Sequence, residues 1–311
     1  MRPIPGPPTV LRLDTEEEKK WIVHNFVYHN DRTLPLAQAR LSPGQAGLFN
    51  GWGVFTTICI YERRPFAFER HWKRLHKDAR RIQIPFEFVA ERVLAALAEV
   101  IRANQVVNGC ARLYFVYNKV GFWRSDEPFP ETDLLICSND LPVFVSPTAL
   151  AVQEHGRYTA HPLAGTKVIS WLHNVWSLEQ AHQRGFDEMI LLNERGEVAE
   201  CASANLFSVR SSLIQTPPLS SGCLAGVTRE VLLEIAGEVG LSIEERSLTL
   251  KELYEADEVF ITSTSRALLP VGRIEDHQVP QAPGPLTTRL AQAFSEYVAH
   301  YCERSAVGGQ L

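Results

Sequence analysis

The spacing between Lys167 and Arg229 constrains this chain more than any other feature. The stretch reads KVISWLHNVWSLEQAHQRGFDEMILLNERGEVAECASANLFSVRSSLIQTPPLSSGCLAGVTR. Its helix-forming run, WLHNVWSLEQAHQRG, closes on Gly185, a residue type that commonly ends helices. That run lies between ALAVQE and MILLNE, two short apolar runs that read as strands. Strand–helix–strand order points to a mixed α/β fold. Three chemical groups punctuate the stretch. Lys167 precedes the helix, and Glu200 sits at a strand-like turn leading to Asn205. At Val227, Leu-Ala-Gly gives way to a helix start, whose free backbone N–H groups attract anions.

A lysine that can condense with an aldehyde, a carboxylate that can meet a pyridine nitrogen, and a helix start that can hold a phosphate are what pyridoxal phosphate requires. The pattern Glu200, Ala202, Asn205, Leu206, Phe207, Thr216, Leu224, Gly226, Val227 and Arg229 runs without a gap. In it the segment resembles the class IV, fold-type IV aminotransferases. That family includes branched-chain and D-amino acid aminotransferases and aminodeoxychorismate lyase. The resemblance covers roughly residues 22–300. It implies a two-domain α/β (α+β) fold, with a small N-terminal α/β domain, a larger C-terminal domain and pyridoxal 5'-phosphate at the domain interface. It also implies a homodimer or higher homo-oligomer whose neighbouring subunit closes the site.

By this resemblance Lys167 is the catalytic residue. It would hold the cofactor as a Schiff base and, once freed, carry a proton between the substrate Cα and the cofactor's C4′ carbon. Burial beside a cationic cofactor would lower its pKa. Glu200 would accept a hydrogen bond from the pyridine nitrogen and keep it protonated. RHWKRL matches the family's His-x-x-Arg-Leu element and assigns Arg74 to the phosphate. Val227 and Thr228 would add the helix start, with Thr228 a candidate N-cap as well. Ser263 and Thr264, in VFITSTSRALLPV, would complete the phosphate cradle. Arg70, Arg80 and Arg81 read as solvated charges. Trp171 stands where many relatives carry a tyrosine that bonds the cofactor's ring hydroxyl. An indole N–H only donates, so that contact must differ here.

The subfamily is less sharply drawn. Phe55-Thr56-Thr57 resembles the lyases, in which a threonine hydroxyl assists proton transfer, and so does the turn from Glu200 to Asn205. The Arg-Gly pair expected of lyases late in the strand ending Tyr117-Asn118 is missing. Arg112 matches a strand arginine of the branched-chain enzymes, but Asn50 and Cys110 replace their tyrosines. Ser265-Arg266 occupies the acid-binding turn, where small residues are usual, and Arg266 could meet a substrate carboxylate or solvent. Phe55, Thr57, Arg112, Ser265 and Arg266 are therefore the candidate substrate contacts. The expected reaction is ping-pong amino transfer from an amino acid, branched-chain type favoured, to a 2-oxo acid. The alternatives are a lyase releasing pyruvate and 4-aminobenzoate, and a non-catalytic scaffold that kept the fold.

Composition excludes other classes. A net charge of −5 leaves no basic stripe for nucleic acid. No apolar run approaches a membrane span, and MRPIPGPPTVLRLDTEEEKK has no signal core, so a cytoplasmic protein is expected. The six cysteines lack CxxC pairs or a disulfide-framework spacing and read as reduced. The ten histidines show no metal-ligand spacing; His71 and His76 lie five apart, off a common helix face. The chain lacks GxGxxG, GxxxxGK[ST] and GxSxG. In order, an arm (1–20), a small α/β domain (21–138), a Pro-containing linker (139–148) and a large cofactor-binding domain (149–311) are expected. Within the first domain HNDRTLP reads as a turn, and LSPGQAGLFNGWG as the loop before a β-hairpin.

Overall fold

The computed structural model describes residues 22–119 and 128–307. The expected arm at 1–20 lies outside the described residues. The first sheet is wholly antiparallel, in the order β2-β1-β6-β5-β3-β4. Its strands are β1 (Phe26–His29), β2 (Arg32–Pro35), β3 (Gly53–Tyr61), β4 (Arg64–Pro65), β5 (Gly109–Tyr117) and β6 (Thr132–Asp140). Three helices accompany it: α1 (Ala46–Asn50), α2 (Phe68–Arg81) and α3 (Ala90–Ala103).

Two local expectations are corrected. HNDRTLP turns only at Asn30-Asp31; Asn30 takes a left-handed φ of 58°, which suits a tight hairpin, and Arg32–Pro35 returns as β2. The expected loop before β3 contains α1, which ends on left-handed Gly51.

Strand periodicity sorts β3 and β5 into two faces. Val54, Ile58, Ile60, Ala111, Leu113 and Phe115 pack against Leu75, Ala79, Leu97 and Val100 of α2 and α3. The opposite face carries Phe55, Thr57 and Cys59, in register with Tyr114, Arg112 and Cys110. This second face borders the site.

The second sheet is mixed, in the order β12-β11-β10-β13-β14-β7-β8-β9, with β15 paired to β14. Its strands are β7 (Thr148–Gln153), β8 (Glu188–Leu192), β9 (Val198–Cys201), β10 (Asn205–Arg210), β11 (Leu213–Thr216), β12 (Ile243–Glu245), β13 (Glu258–Ser263), β14 (Ala267–Ile274) and β15 (His277–Gln278). The accompanying helices are α4 (Leu172–Gln183), α5 (Val227–Ile235), α6 (Leu250–Tyr254) and α7 (Pro285–Val307). β7 runs parallel to β8, with α4 crossing between them. Leu206, Val259 and Ile261 pack on one side of the sheet with Leu248 and Leu253. Phe207 and Phe260 pack on the other with Val231, Leu232, Leu290 and Phe294 of α5 and α7. The rings of Phe207 and Phe260 stack 4.9 Å apart, and each fully buried ring contributes about 1.5–3 kcal/mol.

Of the stretch 139–148, Asn139 and Asp140 belong to β6 and Thr148 opens β7. The two sheets meet where the chain before α4 runs beside β3. Phe55 N–H donates to Lys167 O at 3.1 Å, and Ile169 N–H donates to Gly53 O at 3.0 Å. Among the described residues no helix is long and apolar enough to cross a membrane.

Candidate active site

Those two hydrogen bonds deliver Lys167 to a cavity of 1520 Å³ between the sheets. Asp78, buried on α2, accepts a further bond from Lys167 N–H at 3.2 Å. The Lys167 amine lies 4.6 Å from the centre of the Phe55 ring and 5.9 Å from that of Trp171. With little water around it and the Arg74 guanidinium nearby, its pKa falls to about 7. Glu200 acts in the opposite sense, favouring the charged amine. A substantial share of this lysine is therefore neutral near pH 7.

Glu200 is the penultimate residue of β9 and is buried. Its Oε1 accepts from Arg157 Nε at 2.9 Å, and its Oε2 from Leu224 N–H at 3.0 Å. Each carboxylate oxygen keeps a second acceptor position for a ligand N–H.

The glycine-containing turn ahead of α5 is held tightly. Asn205 Nδ2 donates to Leu224 O at 2.9 Å, while a side chain on Gly226 would begin 2.1 Å from Asn205 Oδ1. Gly226 is the N-cap of α5, which leaves Val227 and Thr228 as its first helical residues. This corrects the N-cap reading of Thr228. The helix start places unpaired N–H groups on the cavity, which Val227 and Thr228 line. Arg74, from α2, donates to Ala225 O at 3.1 Å and so reaches the same turn.

A cradle for an oxyanion group needs donors that the protein leaves unused. Thr166 and Thr262 line the cavity, and their buried hydroxyls have no partner within the protein. Together with Arg74, Ser263, Thr264 and the α5 start, these donors fit a phosphate. With Lys167 and Glu200 in the same cavity, the set fits pyridoxal phosphate.

The remaining sequence candidates also converge. Phe55, Thr57, Arg112, Trp171, Ser263, Thr264, Ser265 and Arg266 all line the cavity. Trp171 packs edge-on to Phe55 with ring centres 6.0 Å apart, and Phe55 stacks on Tyr114 at 5.7 Å. Arg266 is not a solvent-facing charge. Its Nη2 pairs with the buried Glu188 at 3.2 Å, its Nη1 donates to Ser203 Oγ at 2.8 Å, and its guanidinium lies 4.4 Å over Phe144. Arg70 is likewise engaged and half-buried, which corrects its reading as a solvated charge, whereas Arg80 and Arg81 are exposed as expected. Arg70 bridges Glu230 and Glu234 of α5, and Arg81 donates to Pro162 O and Ala164 O.

Sequence reasoning named Thr56 and His71 without giving them a place in the site, and missed Asp78, Arg157, Thr166 and Thr262. Thr56 Oγ1 sits 2.9 Å from Arg74 Nη2 and 2.8 Å from His71 Nδ1. A usable signal existed for the α2 residues, since His71 and Asp78 lie three before and four after Arg74 and so share its helix face. Arg157 stands in an irregular segment with no pattern around it.

This cavity brings together a lysine of depressed pKa, a buried carboxylate and unpartnered hydroxyl donors, and is the candidate active site. Residues 53–274 match the family model described as amino-transferase class IV, and the chain belongs to that family. It is a class IV aminotransferase.

The branched-chain-amino-acid aminotransferase of Escherichia coli is 27% identical over 283 residues, covering 87% of this chain and 92% of that protein. A D-alanine aminotransferase of Listeria innocua is 28% identical, covering 88% and 96% respectively. Among solved structures, the branched-chain aminotransferase of Thermoproteus uzoniensis with norvaline superposes with a TM-score of 0.81. It is 29% identical and covers 90% of this chain and 97% of that one.

Proposed function

We propose that this chain moves an amino group from an amino acid with an apolar, branched side chain to a 2-oxo acid, using pyridoxal 5'-phosphate held by the residues above. The observation that carries the reading is Lys167, whose amine is held near a pKa of 7 in the cavity that also contains Glu200 and the unused donors. The bound cofactor would supply an aldehyde carbon and an electron-accepting ring.

The protein supplies the rest. Arg74, Ser263, Thr264, the α5 start and the Thr166 and Thr262 hydroxyls would hold the phosphate. Glu200, fixed by Arg157 and Leu224 N–H, would accept a hydrogen bond from the ring nitrogen and keep it protonated. Lys167, partly neutral at physiological pH, can take the proton from the substrate Cα and deliver it elsewhere on the reacting system. Phe55 and Trp171 offer apolar surface to a branched side chain, and Arg112 and Ser265 line the same cavity as the candidate contacts to its carboxylate, the charge of Arg266 being paired with Glu188.

A small domain around the first sheet and a large one around the second would give the two walls of the cavity. The protein would work as a cytoplasmic homodimer. Leu48, Phe49 and Trp52 near α1, and Leu172, Val175 and Trp176 on α4, are exposed, which supports such a pairing. These two groups lie side by side, since a side chain on Gly51 would begin 2.7 Å from Ser170 Cβ.

The deciding experiment mixes the purified chain with pyridoxal phosphate, reduces it with borohydride and maps the phosphopyridoxyl peptide. Label on Lys167 is expected, and label elsewhere or nowhere sinks the assignment. The unreduced protein is then given L- and D-amino acids without an oxo acid. Loss of the visible band with L-leucine, L-isoleucine and L-valine supports the substrate class, and a response to D-alanine alone overturns it. Pyruvate released from aminodeoxychorismate without an acceptor would identify a lyase.

A further inference from the structure

We propose that Cys59 and Cys110 are an oxidisable thiol pair whose closure to a disulfide loosens the Ser263–Arg266 turn and weakens the phosphate cradle. The disulfide itself stands apart from the functional reading, while its effect on the cradle rests on that reading.

The two cysteines face each other in register on the adjacent antiparallel strands β3 and β5. Opposite residues of such strands have Cα atoms roughly 4.5–5.5 Å apart, within the range a disulfide spans. Their sulfurs are 3.6 Å apart. Side-chain rotation alone must close about 1.5 Å to reach an S–S bond of about 2.05 Å. The other described cysteines are also free thiols, but this is the pair within contact distance.

Position gives the pair a consequence. Cys59 and Cys110 are on the face of β3 and β5 that carries Phe55, Thr57, Arg112 and Tyr114. Their neighbours Thr57, Arg112 and Thr264 line the cavity, which puts the fully buried pair beside its wall. The Cys59 thiol donates a hydrogen bond to Thr264 O at 3.0 Å. Oxidation removes that donor and leaves the turn carbonyl unpaired. When Cys110 ionises, the one Cys59 S–H can turn from Thr264 O to the Cys110 sulfur 3.6 Å away; that bond and nearby Arg112 stabilise the thiolate, so Cys110 is the better nucleophile.

A peroxide serves as the oxidant. The Cys110 thiolate attacks one peroxide oxygen, breaking the O–O bond and releasing water after protonation, and becomes a sulfenic acid. The Cys59 sulfur then displaces that oxygen as a second water and forms the S–S bond. Two thiols and one peroxide thus give one disulfide and two waters.

The test uses the full chain, cofactor-free and cofactor-loaded, exposed to dilute hydrogen peroxide, then denatured, alkylated and digested. A cross-linked peptide pair joining Cys59 and Cys110, reversed by dithiothreitol and slower to form in the loaded protein, is expected. Two alkylated cysteines after peroxide would overturn the disulfide. The oxidised protein should bind pyridoxal phosphate about tenfold more weakly, the cost of one hydrogen bond at its upper range, with recovery on reduction. Cys110→Ser should keep reduced-state affinity and lose the peroxide effect. A disulfide that leaves affinity unchanged overturns the coupling. A reduced protein that binds no cofactor overturns the functional reading, while the peptide map still decides the disulfide.

Discussion

Thr56 Oγ1 accepts a hydrogen bond from Arg74 Nη2 at 2.9 Å while facing His71 Nδ1 at 2.8 Å. Burial, with Arg74 and Lys167 close by, holds the His71 pKa well below its usual value, so the imidazole is neutral. The Thr56 proton is then available to an unprotonated Nδ1, and one hydroxyl joins a buried imidazole to a buried guanidinium. Thr56→Val removes both bonds and leaves two buried polar groups unpaired, at about 1–3 kcal/mol each. We expect cofactor affinity to fall by about 10-fold or more, with Thr56→Ser close to the parent, as read by absorbance titration. Equal affinity in Thr56→Val would show that Arg74 needs no such support.

His71 also sets an acid limit. Its folded pKa lies below the unfolded value of about 6.5, so below that pH the unfolded chain binds the extra proton and the folded one resists it. This contribution to stability is present above pH 6.5 and is lost as the pH falls toward the folded pKa. His71→Asn, which cannot titrate, should flatten the fall in melting temperature between pH 6.5 and pH 5, even if it is less stable at pH 8. A parallel fall in both proteins would count against a neutral His71.

Lys167 makes the opposite region of the pH scale informative. Its pKa is about 7 in the folded protein, against about 10.4 in an unfolded chain. Between those values the unfolded state holds more protons, so stability contributed at this site rises with pH. In the cofactor-free protein, Lys167→Met should melt higher than the parent at pH 7, and the gap should close as the pH approaches 10. Acylation of Lys167 by an amine-reactive reagent should show a midpoint near pH 7. A midpoint near 10 would mean the amine is solvated and the proton-transfer role has lost its basis.

Much of this site was legible in the chain because its chemistry is carried by residues at fixed local spacing. Lys167, Glu200 and the Gly226-Val227-Thr228 helix start fall in one continuous stretch, and all line one cavity. The helices α2, α3 and α4 announce themselves by composition and periodicity. What sequence could not give is the set of contacts made across long separations. Arg157 reaches Glu200 across 43 positions, and Thr56 meets Arg74 only because α2 folds back onto β3. Arg266 shows the same limit. Its turn was recognisable, but the buried Glu188 that claims its charge belongs to a distant strand. β2 escapes the sequence because Arg32–Pro35 is only four residues long, ends in proline and merges with the Asn30-Asp31 turn signal.

Half-buried Arg157 and buried Glu200 form an ion pair at 2.9 Å, and the two partners should fail differently when changed. Glu200→Gln keeps a polar side chain but loses the charge that would keep a pyridine nitrogen protonated. A fall in kcat by about 100-fold, as for loss of one preorganised electrostatic contact, is expected with cofactor still bound. Arg157→Gln leaves the carboxylate in place but frees its orientation, so a smaller loss is expected, together with a lower melting temperature. The double variant should lose no more activity than Glu200→Gln alone, because Arg157 acts on the reaction through that carboxylate. Additive losses would assign Arg157 a contact of its own with the ligand.

The Asn205–Gly226 contact gives the sharpest steric test. Gly226 sits at φ −69°, so no left-handed backbone demands glycine there. Space does: a side chain would begin 2.1 Å from Asn205 Oδ1, and Asn205 is held by its bond to Leu224 O. Gly226→Ala must therefore displace Asn205 or the turn that presents Val227 and Thr228. Overpacking of this kind costs about 1–3 kcal/mol. The change should lower the melting temperature and weaken cofactor binding together. Asn205→Ala removes the obstructing amide but also releases Leu224 O, so it should weaken binding by itself. Combined with Gly226→Ala it should cost less than the two separate losses added, since the clash is gone. Strict additivity in the double variant would mean that the glycine serves something other than the approach of Asn205.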